Sequence, residues 1–189
     1  MPFQLLEEEK QLLLTLARQT LATLPTDNLE KILIDFKHAN HLTPSLLELR
    51  PCFVTLTGKK GKLRGCIGCT DTTRPLYQNV FEYTQYAASH DFRFQPVEAP
   101  ELPHINIHIA VLGPLTPLPS LNVIEIGRHG LFVTHGSNRG LLLASVAKEY
   151  GWNKQQFLEQ TCVKAGLEPS LSDKYDKFYF EEFSFSEGK

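Results

Sequence analysis

Cys66 stands in the run Leu63-Arg64-Gly65-Cys66-Ile67-Gly68, a thiol between two glycines with a guanidinium two positions back. A thiol acts as nucleophile or ligand in its thiolate form, which a neighbouring cation favours. Read as a strand, the run alternates: Arg64, Cys66 and Gly68 share one face, Leu63, Gly65 and Ile67 the other. Glycine weakens a strand unless the backbone bends or another molecule comes close, so Gly65 and Gly68 are expected to line a ligand-binding cleft. The opposing reading of Cys66 is a small buried hydrophobe, since free cysteine is among the most buried residue types. Against it, Arg64 on the same face would bury an unpaired charge unless that face opens on water or a carboxylate. The chemistry expected of the thiol is attack on an acyl or other electrophilic carbon, with His108 or His104 as general base. Binding a ligand or metal without turnover is the alternative.

Other residues bear on this site. His104 and His108 fall on the polar face of one alternating run, about 13 Å apart in an extended chain, so a shared metal would require a bend. Asp91-Phe92-Arg93-Phe94 reads as an ion pair pinning a loop, with Phe94 in the core, or as charge presented to a cleft beside Cys66. Glu101 is a candidate partner for Arg64. Cys66 and Cys69 form a CxxC, yet three residues apart on a regular strand their sulfurs point to opposite faces. A bulge at Gly68 would be needed to join them. Zinc would need further ligands, and Cys52 and Cys162 are isolated positions that read as buried apolar residues. The Ser137-Asn138-Arg139-Gly140 turn would offer backbone N–H groups to an anion, or serve as a plain tight turn. No metal is assigned, and no cofactor is named by these residues.

The elements that must position this site follow from pattern. Residues 5–24 repeat apolar positions at helical spacing behind Glu7, Glu8 and Glu9, with Pro25-Thr26-Asp27-Asn28 as the stop. A short helix lies within 28–50. Phe53-Val54-Thr55-Leu56, a Gly58-Lys59-Lys60-Gly61 turn and the Cys66 strand form a hairpin. A helix starts near Thr73-Arg74-Pro75 and ends about Ser89. Residues 104–112 alternate as a strand; short strands at 123–126 and 130–135, a turn over 136–140 and an apolar run 141–143 follow. Helices at 144–150 and 153–165 and a closing strand over 178–185 complete an α+β chain with a mainly antiparallel sheet flanked by helices.

At 189 residues the chain fits a single domain, with a smaller lobe within about residues 25–60 and neighbouring loops forming the cleft. A net charge of −2 supplies no basic field for nucleic acid. No apolar run approaches the ~20 residues needed to span a bilayer. The acidic start lacks a secretory pattern, and four cysteines in a chain of this length make no disulfide framework, so a cytoplasmic protein is expected.

LRGCIG at 63–68 resembles the hallmark of the AMMECR-domain family, whose prokaryotic members are protein A of the AmmeMemoRadiSam system. FVTL, AASHDFRFQPV, INIHIAVL, IGRHGLFV, RGLLL, GWNKQQFLEQTCVKAGL and EEFSFSE follow in matching order; Ala144-Ser145 replace the family's Pro-Gln after RGLLL. The resemblance runs from about Leu12 to the end and fixes a fold better than an activity. It implies association with a Memo-type, dioxygenase-like protein and a radical S-adenosylmethionine enzyme. The expected function is an enzyme or enzyme-system component using Cys66, tuned by Arg64, on a small molecule or a partner-derived substrate. The rival is a non-catalytic protein-binding module.

Overall fold

The computed structural model describes residues 3–24 and 29–188, which places the expected Pro25–Asn28 helix stop outside the described residues. Two compact units divide the chain: Met1–Val111 with Phe183–Lys189, and Leu112–Glu182. Residues 29–60 belong to the first.

In the first unit, helix α1 (Glu7–Thr23) buries Leu13, Leu14, Leu16, Ala17 and Leu21, the stripe its spacing dictates. Its first turn carries three glutamates where the helix dipole favours negative charge. One of them, Glu9, is buried, and it accepts the Leu6 N–H at 2.7 Å and the Thr43 hydroxyl. The expected single helix within 28–50 is two, α2 (Leu29–Ala39) and the one-turn α3 (Pro44–Leu47). Strand β1 (Cys52–Thr57) turns through a 3-10 segment at Lys59–Gly61 into β2 (Leu63–Gly68). Helix α4 (Leu76–Ser89) packs across both strands. Cys52, Val54 and Leu56 from β1, with Val80 and Ala87 from α4, are buried in one core that includes the α1 stripe.

The proline loop after α4 contains a 3-10 turn, Ala99–His104, and the next strand, β3, begins only at Asn106 and ends at Leu112. His104 is therefore exposed on that turn and does not share a strand face with His108. Pro100 and Pro103 fix the backbone angle of this segment and withhold two ladder donors, which delays the strand. Hydrogen bonding within this unit runs β2-β1-β3 and then to the end of β7 (Asp176–Ser186).

The second unit pairs β5 (His129–His135) antiparallel with β6 (Asn138–Leu142) and with the first part of β7, whose outer edge takes the two-residue β4 (Thr116–Pro117). The expected strand at 123–126 is not formed: Leu121–Val123 is a 3-10 turn capped by Ser120, whose hydroxyl accepts the Asn122 N–H at 3.2 Å. Asn138, Arg139 and Gly140 lie in β6 opposite His135, Thr134 and Val133, so the turn is shorter than 136–140. Helices α5 (Ala144–Glu149) and α6 (Lys154–Lys164) follow; the Asn153 side chain caps α6 by accepting the Gln156 N–H at 2.9 Å. Leu131, Val133, Phe157, Leu158 and Cys162 form this unit's own core. Among the described residues no helix is long and apolar enough to cross a membrane.

Candidate functional site

Register decides what surrounds Cys66. β1 and β2 pair as Thr57↔Leu63, then Leu56↔Gly65, Thr55↔Cys66 and Phe53↔Gly68. Arg64 has no partner in that sequence of pairs: it is the extra residue of a β-bulge, which breaks the ladder and re-aims a side chain. Strict alternation along the strand ends there. The Arg64 guanidinium grips Glu101, Nε to Oε1 at 2.7 Å and Nη2 to Oε2 at 2.9 Å, and also donates to the Pro96 carbonyl at 3.1 Å. The Glu101 carboxyl is held below its ordinary range, chiefly by that guanidinium.

Cys66 itself is half-buried. Its Sγ accepts the Thr55 hydroxyl at 3.2 Å. Thr55 is also opposite His108 on β3, so Cys66, Thr55 and His108 form a row across three strands, on the face opposite Val54 and Leu56. Two strand spacings separate the ends of this row, about 10 Å between backbones.

The DFRF loop closes around the same strand. Asp91 is buried, and its Oδ2 accepts the Cys66 N–H at 2.8 Å. Arg93 binds it twice more, Nε to Oδ1 at 2.8 Å and Nη2 to Oδ2 at 2.6 Å, while Nη2 also donates to the Cys66 carbonyl at 3.3 Å. Arg93 foremost, and then the backbone N–H groups of Cys66 and Arg93, draw the Asp91 pKa down to about 2. Arg93 thus touches the thiol's own backbone. Phe94 is half-buried rather than in the core, because both guanidiniums stack on its ring, at 5.9 Å from Arg64 and 5.5 Å from Arg93. Phe92, the residue before Arg93, stands 95% exposed.

Each glycine of the motif has a packing reason. A Cβ on Gly65 would lie 2.0 Å from the Ala87 carbonyl oxygen of α4, and one on Gly68 would lie 2.3 Å from the Cys52 oxygen. Both therefore face protein backbone. Cys69 turns away from Cys66: it lies beside Tyr83 of α4, whose phenol is pushed up by burial and then by that thiol. The two cysteines of the CxxC serve opposite sides of the sheet. Among the described residues no three His, Cys, Asp or Glu side chains gather into a metal-binding group. A groove of about 310 Å³ runs between Leu29, Leu33, Phe81 and Tyr86, and Cys66 does not line it.

Sequence reasoning missed Thr55 and Phe92. Counting back from the turn pairs Cys66 with Val54; only the bulge at Arg64 shifts the partner to Thr55. For Phe92 no pattern distinguishes a projecting aromatic from the half-buried one two residues later.

These features define an α+β chain whose antiparallel sheet displays a half-buried thiol on the face away from its helices, with a buried carboxylate gripping the thiol's own backbone. The AMMECR1 family model matches residues 14–186, and the chain belongs to that family. A protein of Methanothermobacter thermautotrophicus is 47% identical over 128 residues, 64% of this chain and 65% of that relative, so the match spans just under two thirds of the relative's length. Protein MK0488 of Methanopyrus kandleri is 40% identical over 157 residues, 77% of this chain and 75% of its own. The crystal structure of the uncharacterized protein PH0010 from Pyrococcus horikoshii has the same fold, with a TM-score of 0.79 at 30% identity, covering 93% of this chain and 90% of that one.

Proposed function

We propose that the protein is a thiol-dependent enzyme, or a component of an enzyme system, in which Cys66 acts on a small molecule or a partner-derived substrate. The partners in this reading are the Memo-type protein and the radical S-adenosylmethionine enzyme of the AmmeMemoRadiSam system. One observation carries it: Cys66 is half-buried and its sulfur meets a side-chain hydroxyl, while its backbone is clamped on both N–H and C=O by the Asp91–Arg93 pair. Clamping of that kind fixes a nucleophile's position before substrate arrives.

Attack would form an Sγ–C bond to an acyl carbon. The thiol proton would pass across Thr55 to the His108 imidazole and from there to the leaving group, and water would later release the acyl group. In this scheme Arg93 presents positive charge at the thiol, and Arg64 with Glu101 holds the flanking loop. Gly65 and Gly68 let the strand lie close to α4 and β1.

Iodoacetamide is expected to label Cys66 first in the folded protein. Cys52 and Cys162 are buried, and burial pushes both of their thiols up. Cys66→Ser should remove that labelling and any turnover with the partner proteins' products. Labelling of Cys66 no faster than of Cys52 would overturn the reading.

Phe92 favours a second reading, a binding module without turnover, because an aromatic residue left 95% exposed suits a partner's surface. Under that reading Phe92→Ala abolishes capture of the Memo-type protein while Cys66→Ser leaves it intact.

A further inference from the structure

The ladder ends with Phe53 opposite Gly68, and Cys52 and Cys69 are the next residues along the two strands. The Cys69 N–H donates to the Cys52 carbonyl at 3.1 Å, so these two cysteines occupy a hydrogen-bonded antiparallel position. Residues opposed in that way have Cα atoms about 5.5 Å apart, inside the roughly 4.4–6.8 Å range of disulfides. Their thiols also sense each other: Cys69 adds to the burial that pushes the Cys52 thiol up. Cys66 is excluded from the pair, since its sulfur lies with Thr55 on the opposite face.

We propose that Cys52 and Cys69 are a peroxide-oxidisable dithiol that closes to a cross-strand disulfide. The two differ in access. Cys52 is fully buried, whereas Cys69 is partly exposed beside Tyr83, which lines an open pocket of about 290 Å³ with Asp71, Thr72 and Arg74. A hydroperoxide therefore meets Cys69 first. The Cys69 thiolate attacks the O–O bond, is oxidised to the sulfenic acid, and the hydroperoxide leaves reduced to an alcohol, or to water for hydrogen peroxide. Cys52 sulfur then attacks the sulfenic sulfur; the S–S bond forms, the S–O bond breaks, and water carries off the Cys52 proton. The bond would tie the start of β1 to the end of the strand that bears Cys66. This dithiol stands apart from the chemistry proposed for Cys66 and survives its failure.

The test treats the folded full chain with hydrogen peroxide, alkylates it in denaturant without reductant, and maps cross-linked peptides by mass spectrometry. Cys66→Ser should lose two alkylatable thiols, yield a Cys52–Cys69 link, and recover both thiols with dithiothreitol, and wild type should yield the same link. Cys69→Ser should form no link. Cys52→Ala should leave Cys69 as a sulfenic acid that dimedone traps. Circular dichroism checks the fold of each variant, and Cys69→Ser, at a partly exposed position, carries the test if Cys52→Ala misfolds. A Cys66–Cys69 link, oxidation of Cys69 beyond sulfenic acid with Cys52 still alkylatable, or no loss of thiols would each overturn the proposal.

Discussion

Asp91 joins three groups that sequence separates: the thiol strand's backbone, the Arg93 guanidinium and the loop leaving α4. Folding lowers its pKa from the ordinary carboxylate value to about 2. A carboxyl depressed in the folded state stabilises at pH above its unfolded pKa, and that contribution fades as pH falls through the folded one. For Asp91 this amounts to about 2 kcal/mol at neutral pH, lost between roughly pH 4 and pH 2. Asp91→Asn should therefore destabilise the protein by about that amount at pH 7 and by much less near pH 2, as urea midpoints at the two pH values would report. An unchanged midpoint at pH 7 would show that the bridge contributes nothing. The loop-pinning role of Asp91 and Arg93 was legible in the sequence, because an Asp and an Arg two residues apart can close on one another. Phe94 was not, because cation stacking and core burial leave the same residue type.

Among the elements, the β1–β2 hairpin was the most readable, since alternation and a glycine-flanked turn specify it locally. Its register was not readable in full. One unpaired residue, Arg64, shifts every pair beyond it and so changes which side chains are neighbours. That is why Cys66 lies opposite Thr55 rather than Val54, while the Arg64–Glu101 pair anticipated as a candidate does form. Strand 123–126 failed for a related reason: a short, largely apolar run after a proline-rich link reads alike as strand or as turn, and Ser120 capping favours the turn. The contact of β2 with α4 offers a test. Gly65→Ala puts a methyl against the Ala87 carbonyl, which is backbone and cannot swing away. A loss of roughly 1–3 kcal/mol or more is expected. Gly58→Ala meets nothing nearer than 3.9 Å and should stay within about 0.5 kcal/mol of wild type. Equal thermal melts for the two variants would contradict the close approach.

At the scale of the whole molecule, the first unit is made from two distant stretches of chain, and its closing piece is short but heavily used. Phe183 and Phe185 pack on its core, with Phe183 edge-on to Phe3 at 5.3 Å. Glu187 receives the Arg18 Nε at 2.8 Å and the Ile107 N–H at 3.0 Å, while Arg18 also donates to the Leu102 and Ile105 carbonyls at 3.1 and 2.8 Å. Removing residues from Phe183 onward empties two half-buried aromatic sites, each costing about 1–2 kcal/mol, less than a fully buried ring would. Hydrogen exchange should then show α1 and β3 losing protection while β5 and β6 keep theirs. Retained protection in α1 would mean that the first 111 residues complete their own core.

Synthesis runs from the amino end, so the ribosome delivers the thiol-bearing hairpin long before the segment that finishes its unit. Throughout translation of residues 112–182 the half-built core waits with Arg18 lacking its carboxylate partner, a window in which nascent-chain chaperones would find exposed apolar surface. Maturation of the Cys66 face therefore waits until residues 183–187 have been made.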